Sequence, residues 1–180
     1  MSHHELAARH LVLIGLMGAG KTTVGERSAE LLERPFLDTD QLIESTTRMS
    51  VAEIFEHHGE EEFRALERGA IADASASPEP LVIACGGGAV LHAENRRALR
   101  AHGVVVWLRA SPAVLGERVG AGTSRPLLAG SAPPVATLAR LSELRTPAYE
   151  AAAHLQVDTE GCTVDEVAAR VVEEYESWNG

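Results

Sequence analysis

A chain of 180 residues, 45% apolar and 23% charged, has the length and composition of an ordinary globular protein with one sizeable core, which excludes a disordered or fibrous chain. A formal net charge of −10 argues against nucleic acid or an anionic membrane as a partner, although a few gathered arginines can still hold a small anion. No apolar run nears the roughly 20 residues that span a bilayer, and the start Met1-Ser2-His3-His4-Glu5 lacks the basic and apolar segments of a secretory signal. Cys85 and Cys162, with no mark of secretion, suit reduced thiols. These features lead us to expect a single domain over residues 1–180, monomeric and cytoplasmic, with residues 1–9 as a flexible extension.

Strand-like and helix-like segments then alternate, which implies an α/β fold with a parallel sheet covered by helices. His10–Ile14 is a short buried strand, and Val24–Arg34 a helix that stops before Pro35. Phe36-Leu37-Asp38 is a second strand, followed by a helix capped by Thr39 or Asp40. Ser50-Val51-Ala52-Glu53 has the capping-box pattern of a further helix, which Gly59 breaks. Glu60–Ala76 resumes it, with Phe63, Leu66, Ala70 and Ile71 on one face. Leu81–Ala84 is a third strand and ends in Gly86-Gly87-Gly88. A helix near His92–Ala101, a strand Val104–Leu108 and a helix opened by Ser111 and Pro112 follow. Gly120–Pro134, rich in glycine and proline, has the character of a mobile lid, which we bound at about 118–134. A helix carrying Leu138, Leu141 and Leu144 is expected to be interrupted or bent at Pro147. Leu155–Asp158 is the last strand. The closing helix, Thr163–Tyr175, turns Val164, Val167, Val171 and Val172 inward.

The chemistry gathers at the strand ends. Gly15-Leu16-Met17-Gly18-Ala19-Gly20-Lys21-Thr22 fits the phosphate-loop pattern of a glycine, four residues and Gly-Lys-Ser/Thr, set between a strand and a helix. Glycines let successive N–H groups face one concavity that holds phosphate oxygens, and the helix N-terminus adds positive potential there. Lys21 is then placed to reach the β- and γ-phosphates of a nucleotide, and the Thr22 hydroxyl to ligate Mg²⁺.

Asp38 and Asp40 end the second strand, on the sheet edge where ligands of parallel sheets bind. Asp38 suits water-mediated support of Mg²⁺, and Asp40 suits a base for a substrate hydroxyl; both also suit turn and cap residues. Gly86, Gly87 and Gly88 offer a flat backbone for a ligand, or only a flexible turn. Arg64, four residues after Glu60 and three before Glu67, is either part of a solvated salt-bridged face or a carboxylate grip. Arg145, just before Pro147, can leave the ordinary helix face and grip the same group. Arg118 and Arg125 flank the lid-like segment, where an arginine can neutralise charge during phosphoryl transfer or simply be exposed.

Taken in order, Gly15–Thr23, Phe36–Asp40, Gly59–Arg64, Gly86–Val90, Arg125–Leu128 and Arg145–Tyr149 resemble the shikimate kinases, within the P-loop nucleoside-monophosphate-kinase-like group. The resemblance runs from about Leu11 to Tyr175. It implies a five-stranded parallel sheet flanked by helices, with a lid, and transfer of the ATP γ-phosphoryl to the 3-hydroxyl of shikimate. It further implies that Asp40 binds the reacting hydroxyl as base and that Arg64 and Arg145 hold the shikimate carboxylate. Gly86, Gly87 and Gly88 would line the ring pocket, with Gly87 supplying an amide. Gly18, Ala19, Gly20, Lys21, Thr22 and Thr23 would bind the ATP phosphates, Thr22 and Asp38 would serve Mg²⁺, Arg125 would descend with the lid, and Arg118 would lie beside adenine. Cys85 and Cys162 stand where relatives carry other side chains. Two rival readings are a same-fold kinase for another hydroxy acid such as gluconate, and a nucleotide-binding regulatory module without catalysis.

Overall fold

The computed structural model describes residues 9–120 and 133–178. Among them, five strands form one parallel sheet in the order β2-β3-β1-β4-β5. The strands are β1 (His10–Ile14), β2 (Phe36–Asp38), β3 (Val82–Ala84), β4 (Gly103–Arg109) and β5 (Leu155–Asp158). Seven α-helices flank the sheet: α1 (Lys21–Leu32), α2 (Thr39–Thr47), α3 (Val51–Ser75), α4 (Ala93–His102), α5 (Pro112–Val119), α6 (Pro134–Ala152) and α7 (Val164–Ser177). Every residue of β1 and β3 is buried, which is why these strands are continuous apolar runs rather than alternating ones. Leu11, Val12 and Leu13 pair with Val82, Ile83 and Ala84, so the carboxyl ends of β1 and β3 lie side by side. The chain leaves β1 toward β2 and β3 on one flank and toward β4 and β5 on the other. That reversal opens a crevice for a ligand beyond the strand ends.

Several elements differ from the sequence reading for identifiable reasons. Helix α1 begins at Lys21, three residues early, because the glycine-rich loop feeds straight into it. The cap of α2 is Asp38, whose side chain accepts from the N–H groups of Asp40 and Gln41, rather than Thr39 or Asp40. Helix α3 does break at Gly59, at φ 81° and ψ 172°, and its capping box at Ser50 and Glu53 is formed. A short 3-10 turn, Ala89–Leu91, follows the glycines. Helix α6 runs through Pro147. Pro147 is exposed, so water can satisfy the Glu143 carbonyl that loses its helical donor. On α7 only Val167 and Val171 of the four valines are buried; Val164 is 44% exposed, because the buried stripe runs Val167-Val171-Tyr175.

The expected lid loses both ends to helices, since α5 reaches Val119 and α6 starts at Pro134; its middle, with Arg125, lies outside the described residues. So do residues 1–8 of the expected extension, whereas Arg9 is fastened. It donates to the Arg100 and Gly103 carbonyls, and its own carbonyl accepts from Arg34 and the Tyr175 hydroxyl. Among the described residues both cysteines are free thiols, and no helix is long and apolar enough to cross a membrane.

Two histidines bind the strands through Nδ1. His10 accepts from Leu81 N–H at 3.0 Å while its Nε2 faces the Ser75 carbonyl at 3.3 Å, and His154 accepts from Val105 N–H at 3.0 Å. Burial lowers both pKa values, that of His154 to about 4; His102 and Arg34 press on the first, Arg100 and Arg9 on the second. Protonation of Nδ1 would also break the bond to the strand. A lowered folded value means that the unfolded chain takes the proton first, so stability is whole above about pH 6.5 and drains as pH falls from there toward 4. We expect a loss of roughly 1–2 kcal/mol from His154 between pH 7.5 and pH 5, after allowance for its partial exposure. Urea unfolding at both pH values checks this: His154→Asn should lose less over the interval than the parent, and an equal loss would clear His154 of the role.

Candidate functional site

The site starts from the loop between β1 and α1. Gly18, at φ 82°, runs so close to α5 that an added Cβ would stand 2.8 Å from Val119 Cγ2 and 2.9 Å from the Leu115 carbonyl oxygen. Gly20, at φ 88°, is the N-cap of α1 and brings no side chain to its first amides, which leaves those donors facing the loop's concavity. Ala19 N–H bonds the Leu16 carbonyl at 3.2 Å, and Lys21 Nζ donates to the same oxygen at 3.0 Å. Thr23 Oγ1 turns back to the Gly20 carbonyl. These bonds fold the loop back on itself at the start of α1.

Asp38 ties this loop to the next strand. Its Oδ2 accepts from Thr22 Oγ1 at 2.7 Å, and its Oδ1 caps α2 through Asp40 N–H at 2.9 Å and Gln41 N–H at 3.3 Å. Asp38 is therefore the cap, and it also sits beside the phosphate-loop threonine. Capping turns Asp40, in the first turn of α2, toward the end of β3. Thr39, fully buried, accepts from Gly86 N–H at 3.1 Å and fastens α2 to the glycines.

The three glycines do different work. An added Cβ on Gly86 would fall 2.6 Å from Asp40 Oδ1 and 2.8 Å from Glu67 Oε1; one on Gly88 would fall 2.5 Å from Arg64 Nη1. Their missing side chains make room for the protein's own carboxylates and guanidinium. A Cβ added at Gly87 would meet nothing closer than 3.5 Å. Its carbonyl accepts from Arg145 Nη1 at 3.0 Å and from the Tyr149 hydroxyl at 2.6 Å.

Burial decides between the two readings of Arg64, and Arg145 reaches this place differently from expectation. Arg64 is 7% exposed, so it is no solvated surface arginine. Its Nη1 donates to Glu67 Oε2 at 2.8 Å, and Glu67 is fully buried. Burial pushes the Glu67 carboxyl upward, and the facing Arg64 charge opposes that shift. Arg145 does not leave the helix face at Pro147. It belongs to the buried stripe Leu138-Leu141-Arg145-Tyr149-Ala152 of an uninterrupted helix, and ordinary periodicity aims it at Gly87.

Together these groups line a cavity of about 70 Å³, with Met17, Val51, Phe55 and Phe63 as apolar walls and Asp40, Arg64, Glu67, Gly86, Gly87, Gly88 and Arg145 as the polar ones. A second cleft, lined by Lys21, Thr22, Asp38 and Cys85, shares Asp40, Val51 and Gly87 with the first. Cys85 is buried there, and burial pushes its thiol far above the ordinary range, so it is a packing residue rather than a nucleophile. Arg118 stands apart on exposed α5, where it grips the Thr159 carbonyl at 2.7 Å and the Thr159 hydroxyl at 2.8 Å and comes within 3.5 Å of the Gly18 carbonyl. It bridges the phosphate loop and the turn after β5. Arg125 lies outside the described residues. The sequence reading missed Glu67, Tyr149 and the apolar walls. Glu67 lay three residues after Arg64 and Tyr149 four after Arg145, so shared helix faces were the available signal.

With that geometry in place, the comparisons have a site to refer to. A family model described as "Shikimate kinase" matches residues 17–176. The chain is 46% identical over 169 residues to the shikimate kinase of Symbiobacterium thermophilum, covering 93% of this chain and 96% of that one. It is 46% identical over 168 residues to the shikimate kinase of Mesorhizobium japonicum, covering 93% of this chain and 81% of that one. Its structure matches that of the Acinetobacter baumannii shikimate kinase in complex with shikimate, with a TM-score of 0.89 at 35% identity over 96% of both chains.

The buried pair at the base of the cavity makes a stability prediction. Glu67→Ala leaves the Arg64 guanidinium inside the protein without its buried counter-charge, which should cost about 3 kcal/mol, as for other broken buried pairs. Denaturant titration of parent and variant measures it. A change under about 0.5 kcal/mol would mean that Arg64 swings out to water and that the pair does not organise the site.

Proposed function

The chain belongs to the shikimate kinase family, and from that premise we propose how its residues carry out the transfer. The activity is that of an ATP-dependent kinase: the γ-phosphoryl of ATP passes to the 3-hydroxyl of shikimate, giving 3-phosphoshikimate and ADP. The observation that carries the residue assignment is the sharing of Asp40 and Gly87 by two clefts, one lined by Lys21 and Thr22, the other by Arg64 and Arg145. A donor phosphate in the first and an acceptor alcohol in the second would meet at Asp40.

The acceptor carboxylate lies against Arg64 and Arg145, where paired guanidinium groups bind it by charge-assisted hydrogen bonds. Gly87, whose carbonyl is held by Arg145 and Tyr149, fixes the ring between them. Asp40 accepts the hydroxyl proton as the new O–P bond forms, while the bond from the γ-phosphorus to the β,γ-bridging oxygen breaks and ADP leaves. Amides of Gly18 to Thr23 and the Lys21 ammonium hold the phosphates and stabilise the charge that develops on them. Arg118 borders the adenine and Arg125 serves the phosphates from the segment after α5. Mg²⁺ fits the oxygen-only pair of the Thr22 hydroxyl and the Asp38 carboxylate. Among the described residues no group of three or more His, Cys, Asp or Glu could cage a metal. These two residues would hold it against the nucleotide, where it supplies charge neutralisation across the β- and γ-phosphates. The protein acts in the cytoplasm as a monomer.

The direct test is ADP release from Mg·ATP with shikimate, with gluconate and with no acceptor. Stimulation confined to shikimate is expected, and stimulation by gluconate alone would reassign the pocket. Asp40→Asn should keep ATP binding but lose turnover by roughly 10²–10⁴-fold; near-normal kcat would remove Asp40 as base. Arg64→Ala should raise KM for shikimate by about 10- to 100-fold with KM for ATP little changed, and equal weakening of both substrates would contradict the carboxylate grip.

A further inference from the structure

Arg64 is held at both edges by its own helix. Besides the buried bond from Nη1 to Glu67, its Nε and Nη2 donate at 3.3 Å and 3.0 Å to a single oxygen, Oε1 of Glu60. All three guanidinium nitrogens are therefore engaged, while one face of the group lies on Gly88. Three of its five N–H donors are used in this way, and a carboxylate that is to grip Arg64 along the Nε–Nη2 edge, or at the Nη1 bond to Glu67, must displace the partner held there. The two partners are unequal. The Glu67 side chain has no exposed surface, and its departure would strand a buried charge; the Glu60 side chain is 57% exposed and can withdraw into water at small cost.

The backbone favours the same choice. Gly59, directly before Glu60, takes φ 81° and ψ 172°, where α3 breaks, and an added Cβ there would meet nothing within 4 Å. Glu60 is thus the first residue after a hinge with open space around it. Its grip is also a weak form of the arginine–carboxylate bond, one oxygen shared by two donors, whereas an incoming carboxylate can offer two oxygens to Arg64 and Arg145 together.

We propose that Glu60 is a displaceable latch on Arg64: it holds the guanidinium toward the cavity until the substrate's carboxylate replaces it. Glu60 is a positioning residue that acts through Arg64, and the exchange lowers apparent substrate affinity by the strength of the contact it gives up. The proposal rests on Arg64 as carboxylate ligand, which Arg64→Ala tests separately: if that variant binds shikimate normally, the ligand assignment fails, and the latch with it.

The test is Glu60→Gln, an exposed substitution that leaves Glu67 in place, beside Glu62→Gln as a control. Glu62 is also exposed but lies two residues from Arg64, on another side of the helix. Calorimetric binding of shikimate and steady-state kinetics are measured on all three proteins. The latch requires Glu60→Gln to tighten shikimate by roughly two- to five-fold, the range of a partly exposed ion pair, with kcat and KM for ATP unchanged and Glu62→Gln like the parent. Weaker binding in Glu60→Gln would mean that Glu60 supports the bound pose of Arg64, and overturns the latch. Unchanged binding overturns it as well, since the contact would then be idle. Equal tightening in both variants would assign the effect to the local negative field instead of to exchange.

Discussion

The parallel pairing of β1 with β3 is the constraint from which the site follows. It sets the phosphate loop, which leaves β1, against the glycines that leave β3, and no loop residue needs to reach across the sheet to join them. β2 pairs on the far side of β3 and delivers Asp38 level with Ala84, so one carboxylate closes the gap between the two loops. The pairing is held by fully buried apolar residues with a ladder of backbone hydrogen bonds, the kind of contact that tolerates little movement. Groups that meet at such a strand edge are held in place before any ligand arrives, and this is where electrostatic catalysis gains most.

On this rigid edge sits a charge problem. The protein carries a net charge of −10, yet its candidate substrate and phosphates are anions. Burial resolves it locally. Arg64 and Arg145 are 7% and 5% exposed, so water screens their field little and it stays strong inside the cavity. Burying guanidinium groups is costly, and the structure compensates each one differently: Arg64 by the buried Glu67 carboxylate, Arg145 by a backbone carbonyl. Helices α2 and α3, which carry Asp40 and Arg64, have a small apolar cluster of their own, Ile43, Ile54, Phe63 and Ala70. A separate cluster and a break at Gly59 leave this side of the pocket freer to adjust than the sheet edge. That division suits a site in which the nucleotide end is fixed and the acceptor end yields.

Individual residues show how far a sequence can be read. The phosphate loop was legible because its function constrains backbone shape, and backbone shape constrains residue type position by position. Asp38 was legible as important, but its two duties, capping α2 and meeting Thr22, could be separated only by placing both partners in space. The glycines after β3 were legible as pocket residues, but what fills the space above Gly86 and Gly88, the side chains of residues 40, 64 and 67, was not. Arg145 was found for the wrong reason, since Pro147 drew attention to a bend that the helix does not need. Glu67 was legible only as a helical neighbour of Arg64, because its spacing is the same whether the pair faces water or the core.

The sequence by itself determined the strand–helix alternation, the phosphate loop and the set of charged residues from which a site could be built, since these depend on local backbone geometry and periodic apolar faces. Only the tertiary structure decided the strand order, and with it which loops are neighbours. It also decided which arginines are buried, and that Asp40 belongs to two clefts at once. The physical reason is that local pattern fixes which face of an element is apolar, whereas the desolvation of a charge and the partner it then requires depend on what other elements bring to that face.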